Sequence, residues 1–135
     1  MKRMTVLGTA ATLLLLGVAI ANAAPLPILL VSTSPEDDRA GKNFVFAVKD
    51  YLRGSSSFQL LTEQPDSAVF CLRIVTLKAS EYSTAYSAVF TMSSPLLDWY
   101  LQQSVGQCGE SRIDSAARNL VQTADEVAEN MKLRK

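Results

Sequence analysis

Hydrophobic periodicity changes along this chain in an order that few fold types satisfy. A short, β-prone apolar run over residues 27–33 comes first, and a segment with apolar residues at helical spacing follows it. A second helical stripe lies near the end of the chain. Between the two helical segments, β-prone runs cover residues 58–62, 68–77, 86–92 and 97–105. The pattern therefore predicts the order β-α-β-β-β-β-α.

Each predicted helix has its own start signal and one apolar stripe. Ser34 is positioned to cap the first helix, with Pro35 as its first helical residue, and Gly54 ends it. Ser111 and Asp114 repeat a cap-and-acid pattern at the second helix. The first stripe contains Ala40, Phe44, Val45, Val48 and Leu52, and the second contains Ile113, Ala116, Ala117, Leu120, Val121, Ala124, Val127, Ala128 and Met131.

The element order limits the topology. A strand–helix–strand unit implies at least one parallel pair, and strands joined by short turns are expected to be antiparallel. Because each helix has a single apolar stripe, both are expected on the same face of the sheet. The sequence thus predicts an α/β (α+β) fold, with a single mixed sheet of about five strands and two amphipathic helices on one face.

The first 23 residues have the anatomy of a secretory signal peptide. Lys2 and Arg3 form a basic start, residues 6–21 carry no charge, and the tripeptide ending at Ala23 is Ala-Asn-Ala. Cleavage is predicted between Ala23 and Ala24, which leaves a single domain over residues 24–135. The alternative is an uncleaved anchor, but the apolar run is short for a spanning helix, which needs roughly 20 residues. The predicted location is the periplasm or the extracellular medium, with no stable membrane anchor after cleavage.

Composition excludes several classes of function. Without residues 1–23 the chain has 112 residues, with 11 basic and 13 acidic side chains. This near-neutral balance lacks the clustered positive charge that nucleic-acid binding or a polybasic membrane patch needs. The chain has no histidine, which excludes hydrolases built on Ser-His or Cys-His pairs. No cofactor, metal ligand set or catalytic residue is predicted.

Two cysteines are the most informative chemical groups. An exported protein folds in an oxidising compartment, which favours a disulfide between Cys71 and Cys108. Closing this loop of 37 positions would stabilise the fold by about 4 kcal/mol on the loop-entropy estimate. The bond requires neighbouring strands or a turn that folds back over the sheet. The alternative is a buried thiol at Cys71 and a turn residue at Cys108.

The segment around Cys108 also allows two functional interpretations. A thiol that precedes a helix N-terminus, with Arg112 four positions later, could have a stabilised thiolate and act as a nucleophile. The Cys-x₃-Arg spacing departs from the Cys-x₅-Arg loop of phosphatases. Gly106 and Gly109, three positions apart before a helix, could bind an anion through backbone amides, although a glycine turn at a strand-to-helix junction is the simpler explanation.

Four segments resemble the N-terminal domain of the TolB family and the related cores of LpoB-like and CsgG-like envelope proteins. They are residues 40–44 (AGKNF), 50–52 (DYL), 57–60 (SFQL) and 66–70 (DSAVF). The resemblance covers roughly residues 28–131 and lies in pattern and order. It implies a small periplasmic α/β domain that takes part in envelope assembly.

The expected function is non-enzymatic binding of another cell-envelope protein or component. If the helices cover one face, the other face carries Cys71, Arg73 and Val75, joined by Trp99 or Tyr100, and the predicted partner residues are Arg73, Val75, Trp99 and Tyr100. Coverage of this face by loops or by a dimer partner is the other possibility. The alternatives are a small enzyme that uses Cys108 with Arg112, and a structural subunit of a homo-oligomer. Charged residues of the first helix are expected to be solvated: Asp38, Lys42, Lys49, Asp50 and Arg53.

Overall fold

The computed structural model describes residues 24–134. The predicted signal peptide, including Ala23, lies outside the described residues, whereas Ala24 is exposed at their start. These residues form one five-stranded mixed sheet and two helices, which confirms the predicted fold class and element order. The elements are β1 Leu26–Thr33, α1 Arg39–Gly54, β2 Phe58–Leu61, β3 Val69–Ser80, β4 Ser83–Ser93, β5 Asp98–Gly109 and α2 Ile113–Asn130.

The sheet has the strand order β2-β1-β3-β4-β5. β1 pairs in parallel with β2 and with β3. In the strand–helix–strand unit, α1 connects β1 to its parallel neighbour β2. β3, β4 and β5 form an antiparallel meander, as the short connections predict. The two sheet edges are therefore β2, which has four residues, and β5, which has twelve.

Alternation along the strands divides the sheet into two different faces. On β3, Phe70, Leu72 and Ile74 enter a core that also contains buried residues of both helices. Phe44 of α1 stacks on Tyr86 of β4 with ring centroids 4.5 Å apart. Both helices therefore pack on one face, as predicted, and we call the opposite side the open face.

The first helix begins four residues later than its pattern predicts. Residues 35–38 form a turn in which the Asp38 amide donates to the Pro35 carbonyl. Asp38, not Ser34, caps α1, because its carboxylate accepts a hydrogen bond from the Gly41 amide at 2.8 Å. Ser34 instead accepts a hydrogen bond from Thr76 on β3. The tertiary hydrogen bond between Thr76 and Ser34 thus competes with the predicted serine cap, and α1 begins at Arg39.

The second helix lacks the predicted serine cap. A short 3₁₀ turn, Glu110–Arg112, connects β5 to α2, and no side chain caps the helix. β3, β4 and β5 are also longer than predicted, and the expected loop at residues 79–83 is a tight hairpin between β3 and β4. Within residues 24–134, neither helix is long and apolar enough to cross a membrane.

Candidate functional site

The open face is the side of the sheet that neither helix covers. Side chains on neighbouring strands form rows across it, and one row contains Val75 on β3, Ser87 on β4 and Val105 on β5. Val75 is 55% exposed and Val105 is 71% exposed. Leu77 and Tyr100 share this face and are similarly exposed. A sheet face with this many exposed apolar side chains is typical of an interaction surface.

The predicted partner residues are divided between the two faces. Arg73, Val75 and Tyr100 lie on the open face, since Tyr100 pairs with Thr91 of β4. Trp99 pairs with Met92, which contacts the core, so Trp99 lies on the helix side at the β5 edge and is half exposed. The expectation that only one of the two aromatic residues joins this face agrees with this register.

One ion pair crosses the open face. Arg73 Nη2 lies 3.1 Å from Asp98 Oδ2, and both side chains are well exposed. The pKa of Asp98 is lowered, mainly by a hydrogen bond with Ser93 and further by Arg73. Because water and salt screen exposed ion pairs, this pair orients charges on the face more than it stabilises the fold.

Cys71 lies below the open face in a small buried cluster. It packs with Leu29 and Val69, and the hydroxyls of Thr91 and Ser93 beside it share a hydrogen bond of 2.6 Å. Burial raises the pKa of the Cys71 thiol, although the hydrogen bonds with Ser93 and Thr91 oppose the rise. The thiol is therefore protonated and inert at neutral pH.

A second buried polar cluster joins α1 to the far end of the sheet. Its centre is the Asp38 carboxylate, which is 1% exposed and accepts a hydrogen bond from Thr84 at 2.7 Å. Burial raises the pKa of Asp38, but hydrogen bonds from Thr84, Thr76 and the Gly41 amide outweigh it, so the net pKa is lowered. The predicted solvated role of Asp38 is wrong, because this carboxylate is a buried cap.

Cys108 lies beside this cluster in a setting that opposes nucleophilic chemistry. The residue is 4% exposed, and burial together with the negative charge of Asp38 raises the pKa of its thiol. Arg112 is exposed at the end of the 3₁₀ turn and donates no side-chain hydrogen bond among residues 24–134. A buried thiol next to a carboxylate lacks the electropositive, accessible surroundings that a reactive cysteine requires.

The predicted Cys71–Cys108 disulfide does not form in this fold. Both cysteines are free, and they lie on β3 and β5 with β4 between them. Their partners on β4, Thr91 and Thr84, are seven residues apart, which corresponds to roughly 24 Å along a strand. A disulfide needs Cα atoms within about 7 Å. In addition, Cys71 belongs to the open-face cluster and Cys108 to the helix-side core.

Both thiols are expected to resist labelling in the native protein. A thiol reagent such as dithionitrobenzoate at neutral pH should modify neither cysteine in the folded chain and both in denaturant, because each is buried and protonated. The intact mass should also be unchanged on reduction. Rapid labelling of Cys108 in the native protein, or a mass gain on reduction, would contradict this assignment.

Gly106 and Gly109, the candidate anion-binding pair, lie within β5 and not in a loop. Gly106 is opposite Tyr86, and a Cβ atom there would come within 2.6 Å of the Tyr86 hydroxyl. Glycine is needed at this position because the tyrosine ring crosses the strand there. The anion-site interpretation is thus replaced by a packing role.

Two exposed open-face residues, Leu77 and Val105, were not among the predicted partner residues. The sequence contained a signal for Leu77, because this residue continues the alternation of Arg73 and Val75 along β3. Val105 was harder to assign, because a bulge at residue 101 changes the register of β5. Among residues 24–134, no group of three or more Cys, Asp and Glu side chains is arranged to hold a metal ion.

Comparisons with known proteins give little further information. No protein-family model matches the chain, and no curated protein matches it. Among solved structures, the chain is similar to a hypothetical protein from Chlamydia trachomatis, with a TM-score of 0.36 and 10% sequence identity. The match covers 63% of this chain and 72% of the other. Similarity at this level carries no argument about function.

Proposed function

We propose that this chain is an exported, non-enzymatic domain that binds another cell-envelope protein through its open face. The observation that carries the proposal is the uncovered sheet face with exposed Val75, Leu77, Tyr100 and Val105. Helices cover only the other side of the sheet, so these apolar side chains have no partner element within residues 24–134. The signal-peptide pattern and the sequence resemblance to the TolB N-terminal domain support an envelope location and an assembly role.

The chemistry of the open face fits a protein partner. It combines exposed apolar side chains, one of them the aromatic Tyr100, with the Arg73–Asp98 ion pair, which reaches across the face from the central strand β3. Aromatic residues and arginine are enriched in protein–protein interfaces. An aromatic residue near an arginine also matches the residue types that dominate binding energy.

Site-specific photocrosslinking in cells tests the proposal. A photoreactive phenylalanine analogue at Val75 or Val105 is expected to give an adduct of one defined mass, whereas the same analogue at Phe46 should give none. Phe46 is a matched control because it is an exposed apolar residue, 62% accessible, on α1. The substitution Leu77→Glu should reduce the adduct about tenfold through loss of one apolar contact, and Phe46→Glu should leave it unchanged.

The adduct mass separates this proposal from its alternative. A mass that corresponds to one chain plus a different protein supports envelope-protein binding. A mass of two copies favours a homo-oligomer, which light scattering on the purified protein would confirm. Equal adducts at Phe46 and Val75, or no adduct at either open-face position, would overturn binding through this face.

One observation favours the homo-oligomer as a second candidate. β5 is a twelve-residue edge strand with no proline and with Asp98 as its only charged residue. Edge strands are normally protected by charges, prolines or a covering element. Antiparallel pairing of two β5 strands would place the two Asp98 carboxylates at opposite ends, so no like charges would meet.

A further inference from the structure

A groove lies on the helix side of the sheet, away from the open face. It has a volume of about 360 Å³ and runs between α1 and the strands β1 and β2. Small-ligand sites occupy roughly 300–1,000 Å³, so this groove has room for a small molecule. Its lining residues are Leu30, Ser32, Val45, Lys49, Arg53, Leu60, Leu61 and Thr62.

The apolar and polar parts of the groove are chemically distinct. Leu30, Leu60 and Val45 are half-buried at the margin of the core and supply apolar side chains from three different elements. Ser32 and Thr62 add hydroxyl groups near the carboxyl ends of β1 and β2. Ligands of open α/β sheets commonly bind outside the carboxyl ends of parallel strands.

The charged groups of the groove are all positive. Lys49 and Arg53 lie four positions apart on α1, so they share one helix face. No acidic residue lines the groove. Arg53 has Asp50 at 3.7 Å, and Lys49 makes no salt bridge within residues 24–134. The groove therefore presents two cations above apolar side chains, and the one carboxylate paired with them is Asp50, which forms an exposed salt bridge with Arg53 from outside the groove lining.

We propose that this groove binds a small anionic amphiphile, namely a carboxylate that carries a short aliphatic chain. The carboxylate pairs with Lys49 and Arg53, and the chain lies against Leu30, Val45 and Leu60. Arginine suits this role because its planar group can donate two parallel hydrogen bonds to one carboxylate. The site is separate from the open face, so it does not rest on the proposed envelope partner.

Octanoate is a suitable probe, and amide chemical shifts of the ¹⁵N-labelled chain give the readout. Titration should shift the resonances of residues 30, 60 and 62 saturably, with a dissociation constant of roughly 0.1–1 mM for a ligand of this size. Hexanoate should bind about tenfold more weakly, because it buries two fewer methylene groups. Octanol, which keeps the chain and lacks the carboxylate, should also bind at least about tenfold more weakly.

Charge variants decide whether the two cations form the site. Lys49→Gln and Arg53→Gln should each weaken octanoate binding about tenfold. Arg112→Gln removes the same charge from an exposed position at the other end of the fold and should leave the affinity unchanged. All three side chains are exposed, so the fold should tolerate each substitution.

Three results would overturn the proposal. They are the absence of any saturable shift with octanoate, equal binding of octanol and octanoate, and unchanged affinity in the Lys49→Gln and Arg53→Gln variants. None of these results would affect crosslinking at Val75 and Val105, so the two proposals fail independently.

Discussion

Replacing Gly41 with alanine is expected to destabilise the fold by about 3 kcal/mol, because a new methyl group would displace the buried cap. A Cβ atom at residue 41 would lie 2.1 Å from Asp38 Oδ2 and 2.3 Å from Thr76 Oγ1. Both groups are buried and hydrogen-bonded, so neither can move without losing a partner. Denaturant-induced unfolding, followed by circular dichroism, measures this loss directly.

Gly54→Ala is the matched control for this substitution. Gly54 is the last residue of the same helix, and a Cβ atom there would meet nothing within 4 Å. Alanine at this position is expected to leave stability unchanged or to raise it by up to about 1 kcal/mol, because it restricts the unfolded chain. Equal effects of Gly41→Ala and Gly54→Ala would show that the Asp38 contact does not constrain residue 41.

Asp38→Ala is expected to cost about 2–3 kcal/mol, which combines a lost helix cap with buried hydrogen-bond donors that lose their acceptor. The Gly41 amide loses its side-chain partner, and the Thr84 hydroxyl keeps only two weaker carbonyl contacts at 3.2 Å. Asp37→Ala is the control, since the Asp37 carboxylate is next to Asp38 in the sequence but is exposed. Its ion pair with Lys78 is long, at 3.8 Å. A change within about 0.5 kcal/mol is expected for this surface variant.

The pH dependence of stability identifies the ionised carboxylate as the stabilising form. The pKa of Asp38 is lower in the folded chain than in the unfolded chain. Its contribution is therefore fully present above the unfolded pKa, near 3.9, and is lost as pH falls through the folded value. The wild-type protein should lose more stability than Asp38→Ala over that acidic range. Parallel pH profiles for the two proteins would contradict the assigned role.

The elements were predictable because each has its own periodic pattern. The stripe of α1, through Phe44, Val48 and Leu52, and the alternation of β3 are properties of neighbouring residues. The start of α1 was not predictable in this way. Asp38 replaces Ser34 as the cap because Thr84, 46 positions later, donates a hydrogen bond to its carboxylate. A local pattern contains no information about such a contact.

The disulfide predicted between Cys71 and Cys108 was wrong for a different reason than the start of α1. Compartment and cysteine number favoured a disulfide, but strand order decides whether two strands are neighbours. Cys71 and Cys108 lie on the first and third strands of a meander joined by short turns. The first and third strands of a meander are separated by the second. The predicted antiparallel connections therefore already contained evidence against the bond.

The candidate site was predictable only as a consequence of topology. One apolar stripe on each helix implied an uncovered sheet face, and that inference agrees with the positions of Arg73, Val75 and Tyr100. The groove between α1 and the β1–β2 pair was not predictable, because Lys49 and Arg53 looked like ordinary solvated charges. Lys49 and Arg53 line one groove with Leu60 only because α1 packs over the parallel strands β1 and β2.

The central position of β1 also determines when the chain can fold. β1 is the first element of the described chain, yet its partners begin at Phe58 on one side and Phe70 on the other. The hairpins of β3, β4 and β5 pair from their turns outward and can form early, whereas β1 must wait for pairings that span 32 positions to β2 and 42 positions to β3. Its apolar residues Ile28–Val31 therefore emerge long before any strand can cover them. A chaperone that binds nascent chains would therefore act mainly on this segment.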